Sequence, residues 1–213
     1  MRYELHAHTC FSDGCHTPAQ MVAAARAKGL AGIVITDHDT CEGARQALPL
    51  ADDGFTVTAG IEVSSSAGHI LGIDVHHHIP QGMSPADTVE AIHAAGGFAV
   101  AAHPFDRYRS GVGELIHAVP FDAVEAFNGH TFGNTCDPVA QAEKAGLPVV
   151  GGSDAHSTAE VGLVTVECEG PLMPALREGR VVVRQRHPLV LFANHGVGLV
   201  KRKLTPKRGG QHR

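Results

Sequence analysis

Apolar positions along this chain fall into short unbroken runs separated by amphipathic stretches. Ala31–Thr36 is a continuous apolar run of strand length, the pattern of a strand buried on both faces in a parallel sheet, and Phe98–Ala102 repeats it. Further strands are expected at Leu5–His8, Phe55–Val63, His69–Val75, Asp122–Phe127, Leu147–Gly151, Val161–Val166 and Val181–Arg184. Helices fill the gaps. Thr17-Pro18-Ala19-Gln20 reads as a capping box with proline in the first turn, opening a helix through Met21, Val22 and Ala25 that stops at Gly29. Thr40 caps a second helix reaching about Leu50, and Ser84-Pro85-Ala86-Asp87 opens a third through Val89 and Ile92, stopped by Gly96-Gly97. Others are expected near Asp137–Ala145 and after Pro171. This alternation predicts parallel strands with outer helices.

An open doubly wound sheet and a closed barrel both fit the alternation, but they place function differently. An open sheet gathers ligands at one switch point, whereas a barrel collects residues from the carboxyl end of nearly every strand. Here His6-Ala7-His8, Asp13, Asp37-His38, Glu62 with His69, His103, and Asp154-Ala155-His156 all fall where a strand is expected to end. A barrel is favoured.

Composition narrows the setting. The chain has 213 residues, 43% hydrophobic and 18% charged, with a net charge of -5, which is ordinary for one soluble domain. We expect that domain over 1–187, followed at 188–213 by an apolar stretch and a basic tail, Lys201-Arg202-Lys203 and Lys207-Arg208, disordered by its composition. Five cysteines without a C-x-x-C pair argue for a reducing compartment, and neither a signal peptide nor a membrane-spanning apolar run is expected. A cytoplasmic protein with no membrane partner is expected. Histidine is unusually abundant, with 16 copies, while tryptophan is absent.

Position gives these histidines meaning. His6 and His8 alternate by two on a strand and so point to the same side, the spacing needed to offer two imidazoles to one ion. Asp154 and His156 repeat that spacing, and Glu62 closes an otherwise apolar run. A carboxylate there is costly unless paired or ligated. His76-His77-His78 is read as loop surface instead, because consecutive strand histidines point alternately.

Taken in order, His6-Ala7-His8-Thr9 with Ser12-Asp13-Gly14, Ile35-Thr36-Asp37-His38-Asp39, Gly60-Ile61-Glu62, His69-Ile70-Leu71-Gly72, Ala102-His103-Pro104-Phe105, Glu125-Ala126-Phe127-Asn128-Gly129 and Gly152-Ser153-Asp154-Ala155-His156-Ser157 resemble the PHP (polymerase and histidinol phosphatase) family of metal-dependent phosphoesterases. The resemblance implies an α/β fold, a distorted TIM-like (β/α)7 barrel, with two or three divalent ions at the strands' carboxyl ends. It implies that His6, His8, Glu62 and Asp154 hold one ion, that Glu62 bridges to a second held with His69 and His103, and that Asp13, His38 and His156 hold a third. The sequence departs from the family in one place: relatives acting on nucleotides often carry an extra helical insert between the strands of His69 and His103, where only a short loop and one helix are expected here, so a lid that would choose the substrate is expected to be missing.

Chemistry read from the residue types agrees. Imidazole and carboxylate ligands without thiolate suit manganese, zinc or iron and do not choose among them. A water bridging two ions loses its proton near neutral pH and becomes the nucleophile, while the ions neutralise the phosphoryl oxygens. Glu62, Asp154 and His156 are the expected catalytic residues of a phosphoric ester hydrolase acting on small phosphate mono- or diesters, nucleotide derivatives among them. Arg107 and Arg109 are candidates to clamp the phosphate, Arg107 ranked first for its nearness to His103, and Asn128 to hydrogen-bond the substrate. Asp37 and Asp39 either orient His38 or cap the next helix. Competing readings are a nuclease using the basic tail, which the net negative charge disfavours, a non-catalytic metal-binding module, and an amidohydrolase-like reaction on similar ligands.

Overall fold

The computed structural model describes residues 1–186, so the expected C-terminal segment at 188–213 lies outside the described residues. Its strands are β1 (Arg2–Glu4), β2 (Gly32–Ile35), β3 (Thr56–Ser65), β4 (Gly68–Ile73), β5 (Phe98–Ala101), β6 (Ala123–Asn128), β7 (Val149–Gly152), β8 (Val164–Glu167) and β9 (Val182–Gln185). Helices α1 (Pro18–Ala27), α2 (Glu42–Ala47), α3 (Pro85–Ala94), α4 (Pro138–Ala145) and α5 (Leu172–Arg177) lie between them. Most helix signals act as read, but Thr40 does not cap α2: Cys41 holds that position with no side-chain bond, Thr40 Oγ1 accepts from the Glu42 amide at 3.2 Å, and the helix ends at Ala47. Thr17 and Gln20 form a reciprocal capping box, Ser84 and Asp137 accept from the first turns of α3 and α4, and Gly146 ends α4 at φ 69°.

One sheet runs in the order β7-β6-β5-β4-β3-β2-β1-β8-β9 and curls into a distorted, nearly closed barrel. Its open seam is joined just beyond the strands. Ala7 and Ala155 pair in parallel, with the His8 amide donating to Ala155 O at 2.8 Å and the Ala155 amide donating to His6 O at 3.0 Å. Glu4, fully buried, staples the same seam: it accepts from the amides of Ser153 (2.8 Å), His6 (3.2 Å) and Gly162 (2.8 Å). Burial pushes this carboxyl up, and the three amides together with the Ser153 side chain pull it back only in part.

Two expectations change. The strand expected at Leu5–His8 lies just upstream, at Arg2–Glu4; beyond it the His6 and Ala7 amides are taken by side-chain oxygens of Glu4 and Thr36 rather than by a ladder. The sheet is also mixed: β3 pairs antiparallel with β4, β4 with β5, and β8 with both β1 and β9. The short Ser66-Ala67 turn between β3 and β4 permits a hairpin, which no parallel crossover could span.

Alternation along each strand sorts the core. Tyr3, Val34, Leu71, Val100, Val150 and Val166 fill the barrel interior with Leu172 and Leu176 of α5. Ile33 and Ile35 face outward onto Met21 and Val22 of α1, and Ile61, Val63 and Ile70 face Val89 and Ile92 of α3. Since Ile61 and Val63 point out, Glu62 between them points in.

Candidate metal centre

Glu62 lies within β3, which runs on to Ser65, and its carboxylate is the hub of the barrel's mouth. Oε2 sits 3.1 Å from His6 Nε2, 3.1 Å from His8 Nε2 and 3.4 Å from His38 Nδ1. Oε1 sits 3.1 Å from His69 Nδ1 and 3.2 Å from His103 Nε2. His69 arrives by a different route from the others, at the beginning of an antiparallel strand. The register sets it opposite Ser64, which shares a face with Glu62, so the hairpin returns an imidazole to the same end of the barrel. Asp154 Oδ1 closes the deep side at 3.1 Å from His8 Nε2 and 3.4 Å from His6 Nε2. Nearer solvent, the Asp13 carboxylate meets His156 Nε2 at 3.1 Å and His8 Nδ1 at 3.8 Å.

Donor chemistry fits divalent ions. His6 Nε2 and His8 Nε2 approach each other to 3.1 Å, a distance at which both cannot carry protons, and both face the same two carboxylates. Buried His8 Nδ1, His69 Nδ1 and His103 Nδ1 make no hydrogen bond, although His69 Nδ1 lies close to Glu62. Nitrogen and oxygen lone pairs aimed at shared points are what a cation requires. Four convergent sets emerge: His6, His8, Glu62 and Asp154; His8, Asp13, His38 and His156; His38, Glu62 and His69; and His130, His156 and Glu160. The grouping differs from the implied one in sharing His8, His38 and His156 between sets and in adding His130 and Glu160, while His103 meets Glu62 alone.

Ionisation follows this crowding. Burial pushes Glu62 and Asp154 up, but the imidazoles around each, and Arg109 beside Asp154, hold both well below the usual carboxylate range. Burial lowers His8, yet Asp154 and Glu62 outweigh it and raise the imidazole to about 9. His38 goes the other way, lowered by burial with only partial compensation from Glu62.

A supporting layer fixes these ligands. Glu125, 2% exposed, accepts at Oε1 from His6 Nδ1 (2.9 Å) and at Oε2 from the His103 amide (2.9 Å) and Asn128 Nδ2 (2.9 Å). It carries no role in the sequence reading, although it interrupts an apolar strand just as Glu62 does. Asp37 takes a different part from the one expected: it accepts from the Thr9 amide and hydroxyl (2.6 and 2.7 Å) and from Ser12 Oγ (2.8 Å), tying the loop that bears Asp13 to the loop that bears His38. Asp39 accepts from the Ser64 amide at 2.7 Å. His103 (φ 29°) and Asp154 (φ 53°) occupy left-handed backbone, a strained conformation for side-chain-bearing residues that this network sustains.

Of the expected substrate contacts, Arg109 and Asn128 reach the cluster. Arg109 pairs with Asp154 and donates to Asn128 Oδ1 (2.9 Å), Thr131 Oγ1 (3.1 Å) and Asp106 Oδ2 (3.1 Å). Arg107 is exposed, its amide donating to Gly133 O at 3.0 Å, so nearness in sequence to His103 does not carry it into the site. His130, unassigned from sequence, lines the same cavity of about 150 Å3, 3.6 Å from Glu160 and with its ring 5.1 Å from that of His156. The His76-His77-His78 run is exposed, away from this cavity. Among the described residues no helix is long and apolar enough to cross a membrane.

Comparison with known proteins agrees with this architecture. The PHP-associated family model matches residues 140–181. A two-domain protein from Bacteroides vulgatus, containing a predicted PHP-like metal-dependent phosphoesterase, superposes with a TM-score of 0.72 over 87% of this chain and 65% of that one at 18% identity. An uncharacterized protein of Methanocaldococcus jannaschii is 32% identical over 61% of this chain and 83% of its own length. The chain belongs to the PHP family. Within it, a 5'-3' exoribonuclease of Haemophilus influenzae is 33% identical over 34% of this chain, and a 3',5'-nucleoside bisphosphate phosphatase of Chromobacterium violaceum is 38% identical over 34%. This PHP chain spans only 28% and 27% of those two enzymes.

Proposed function

We propose that this PHP protein hydrolyses small phosphate mono- or diesters with two or three divalent ions, manganese, zinc or iron, held by His6, His8, Asp13, His38, Glu62, His69, His103, Asp154 and His156. The observation that carries the reading is the convergence of five imidazoles on the buried Glu62 carboxylate beside an arginine-walled cavity. When bound, such ions supply positive charge for phosphoryl oxygens and lower the pKa of water. Glu62 and Asp154 supply the carboxylates of this end of the barrel, and Glu125 fixes the His6 ring through Nδ1 so that Nε2 faces both of them. Arg109 is oriented by Asn128, Thr131 and Asp106, which leaves its guanidinium at the wall to bind a phosphoryl oxygen. Asn128, bonded to Glu125 and Asp154 through Nδ2, positions that arginine.

Residues 1–187 form the catalytic domain in this reading, with 188–213 appended to it, and the cysteine usage supports a reducing, cytoplasmic location. Likeness to an exoribonuclease favours one second reading, hydrolysis of oligonucleotides from the 5' end. Turnover of a nucleoside monophosphate, an aryl phosphodiester and a 5'-phosphorylated oligonucleotide, each with added metal, separates the two. Small-ester turnover with no oligonucleotide cleavage supports the first reading, oligonucleotide cleavage alone supports the second, and metal-loaded protein that turns over none refutes both.

A further inference from the structure

Beside the expected ligands stand two further metal-binding side chains, His130 and Glu160, and both address His156. Each of the three offers one ligand atom within 4.8 Å of the others. Glu160, 2% exposed, accepts from the His156 amide at Oε2 (2.8 Å), and its Oε1 lies 3.6 Å from His130 Nε2. The rings of His130 and His156 are 5.1 Å apart. Both newcomers sit on anchored backbone. The His130 amide donates to Asn128 Oδ1 at 2.8 Å, and Lys28 Nζ donates to the carbonyls of Thr158, Ala159 and Val161 (2.9, 2.8 and 2.6 Å), which fixes the turn that presents Glu160.

Two imidazoles and one carboxylate, with a fourth position left to water, are a donor set that zinc takes in tetrahedral geometry. Zinc outbinds manganese at such a set, since manganese favours oxygen ligands in octahedral array. His156, however, has one lone pair to give. Its Nδ1 lies 2.8 Å from Asp154 O, and a carbonyl only accepts, so Nδ1 carries the proton and Nε2 is the atom left for an ion. That same Nε2 faces Asp13 at 3.1 Å, within the set of His8, Asp13, His38 and His156. One lone pair binds one ion at a time. We propose that His130, Glu160 and His156 form an additional zinc site that competes with the Asp13 set for His156, so that zinc in excess withdraws His156 from that set and inhibits the protein. The inhibition rests on the phosphoesterase reading, whereas the site itself can be tested by binding alone.

The test titrates the full chain with zinc past saturation and reads bound zinc by chelator competition, the visible absorption of a cobalt-loaded sample, and turnover of an aryl phosphodiester. The parent chain should take up a last, weaker zinc that His130→Ala and Glu160→Gln each lack, with the four-coordinate cobalt absorption of that site missing from both variants. As the last zinc binds, turnover should fall about tenfold in the parent and not in the variants, and excess manganese should cause no such fall. Glu160→Gln keeps an acceptor for the His156 amide, so it tests the ligand without unseating the turn, and His93→Ala, a histidine paired with Asp122 outside this cavity, keeps the last zinc. Equal zinc counts in the parent and both variants overturn the site. A zinc lost from the variants with inhibition unchanged overturns the competition for His156. A last zinc present in the parent and absent from the variants, with no turnover under any metal load, would contradict the phosphoesterase reading and leave the site standing.

Discussion

The two ends of the barrel are built from the same strands and do opposite things with their polar groups. At the amino ends of β5, β6 and β7 lies the larger cavity, about 870 Å3, lined by Phe98, Phe121, Leu147 and Leu176 with a few polar residues. Those polar residues satisfy one another: His93 pairs with Asp122 at 2.8 Å, Asp122 also accepts from the Ala99 amide, and Arg177 donates to Gly96 O. At the opposite end the cavity is several times smaller, yet imidazoles and carboxylates press together with ring nitrogens left unbonded. Size is thus a poor guide to function here. Unsatisfied, convergent donors mark the working end, as expected for the carboxyl ends of barrel strands.

The sharpest contrast is between Glu62 and Asp122. Glu62→Gln should lower kcat by at least about a hundredfold, since it removes the carboxylate shared by the ligand sets, while Asp122→Asn should stay within about twofold, and steady-state kinetics compares them directly. Next comes Glu125→Gln, which leaves every ligand in place but frees the His6 ring. Metal affinity should fall about 10- to 100-fold in a competitive chelator titration, and an unchanged affinity would remove Glu125 from the support network.

Glycines give a stability version of the same comparison. A Cβ at Gly152 would stand 2.4 Å from His6 Cβ and 2.9 Å from Glu125 Oε1, so Gly152→Ala should cost about 3 kcal/mol through overpacking. Gly96, at φ 79° with open space around it, should cost only about 1 kcal/mol as alanine, from backbone strain alone. Urea denaturation of both variants measures the difference, and equal losses would show that the centre is not tightly packed.

The smallest expected effect is in protons. His8 is raised from 6.5 to about 9, so in metal-free protein its contribution to stability is complete below about 6.5 and is lost as pH rises through about 9. His6 is likewise held well above its ordinary value, burial being outweighed by Asp154, Glu125 and Glu62, and metal ligation needs neutral imidazole, so binding near neutral pH should release at least one proton, with apparent affinity rising across that window. Calorimetry in two buffers of different ionisation enthalpy reads the release, and none at pH 7 would contradict the assigned state of His8.

Local signals carried most of the fold. Thr17-Gln20, Ser84 and Gly146 act within a turn of themselves, and Glu62 inside Ile61-Glu62-Val63 had one face to occupy. What stayed illegible depends on pairing partners distant in sequence. The antiparallel β3–β4 hairpin brings His69 in at a strand's beginning, and Glu4, 149 residues from Ser153, reveals its role only when the seam closes. Arg107 and Arg109 could not be ranked from spacing, because the Asp106–Asn134 bridge decides which one turns inward. Glu125 was legible in principle, since a carboxylate within an apolar strand asks for a partner wherever it occurs.

The central claim is that the cluster around Glu62 binds divalent ions that hydrolysis requires. Metal content measured alongside phosphoester turnover, before and after chelation and after readdition of manganese, zinc or iron, tests it most directly. The account predicts at least one bound ion per chain, loss of turnover on chelation and recovery with one of these metals. Full turnover by protein stripped of metal would contradict it.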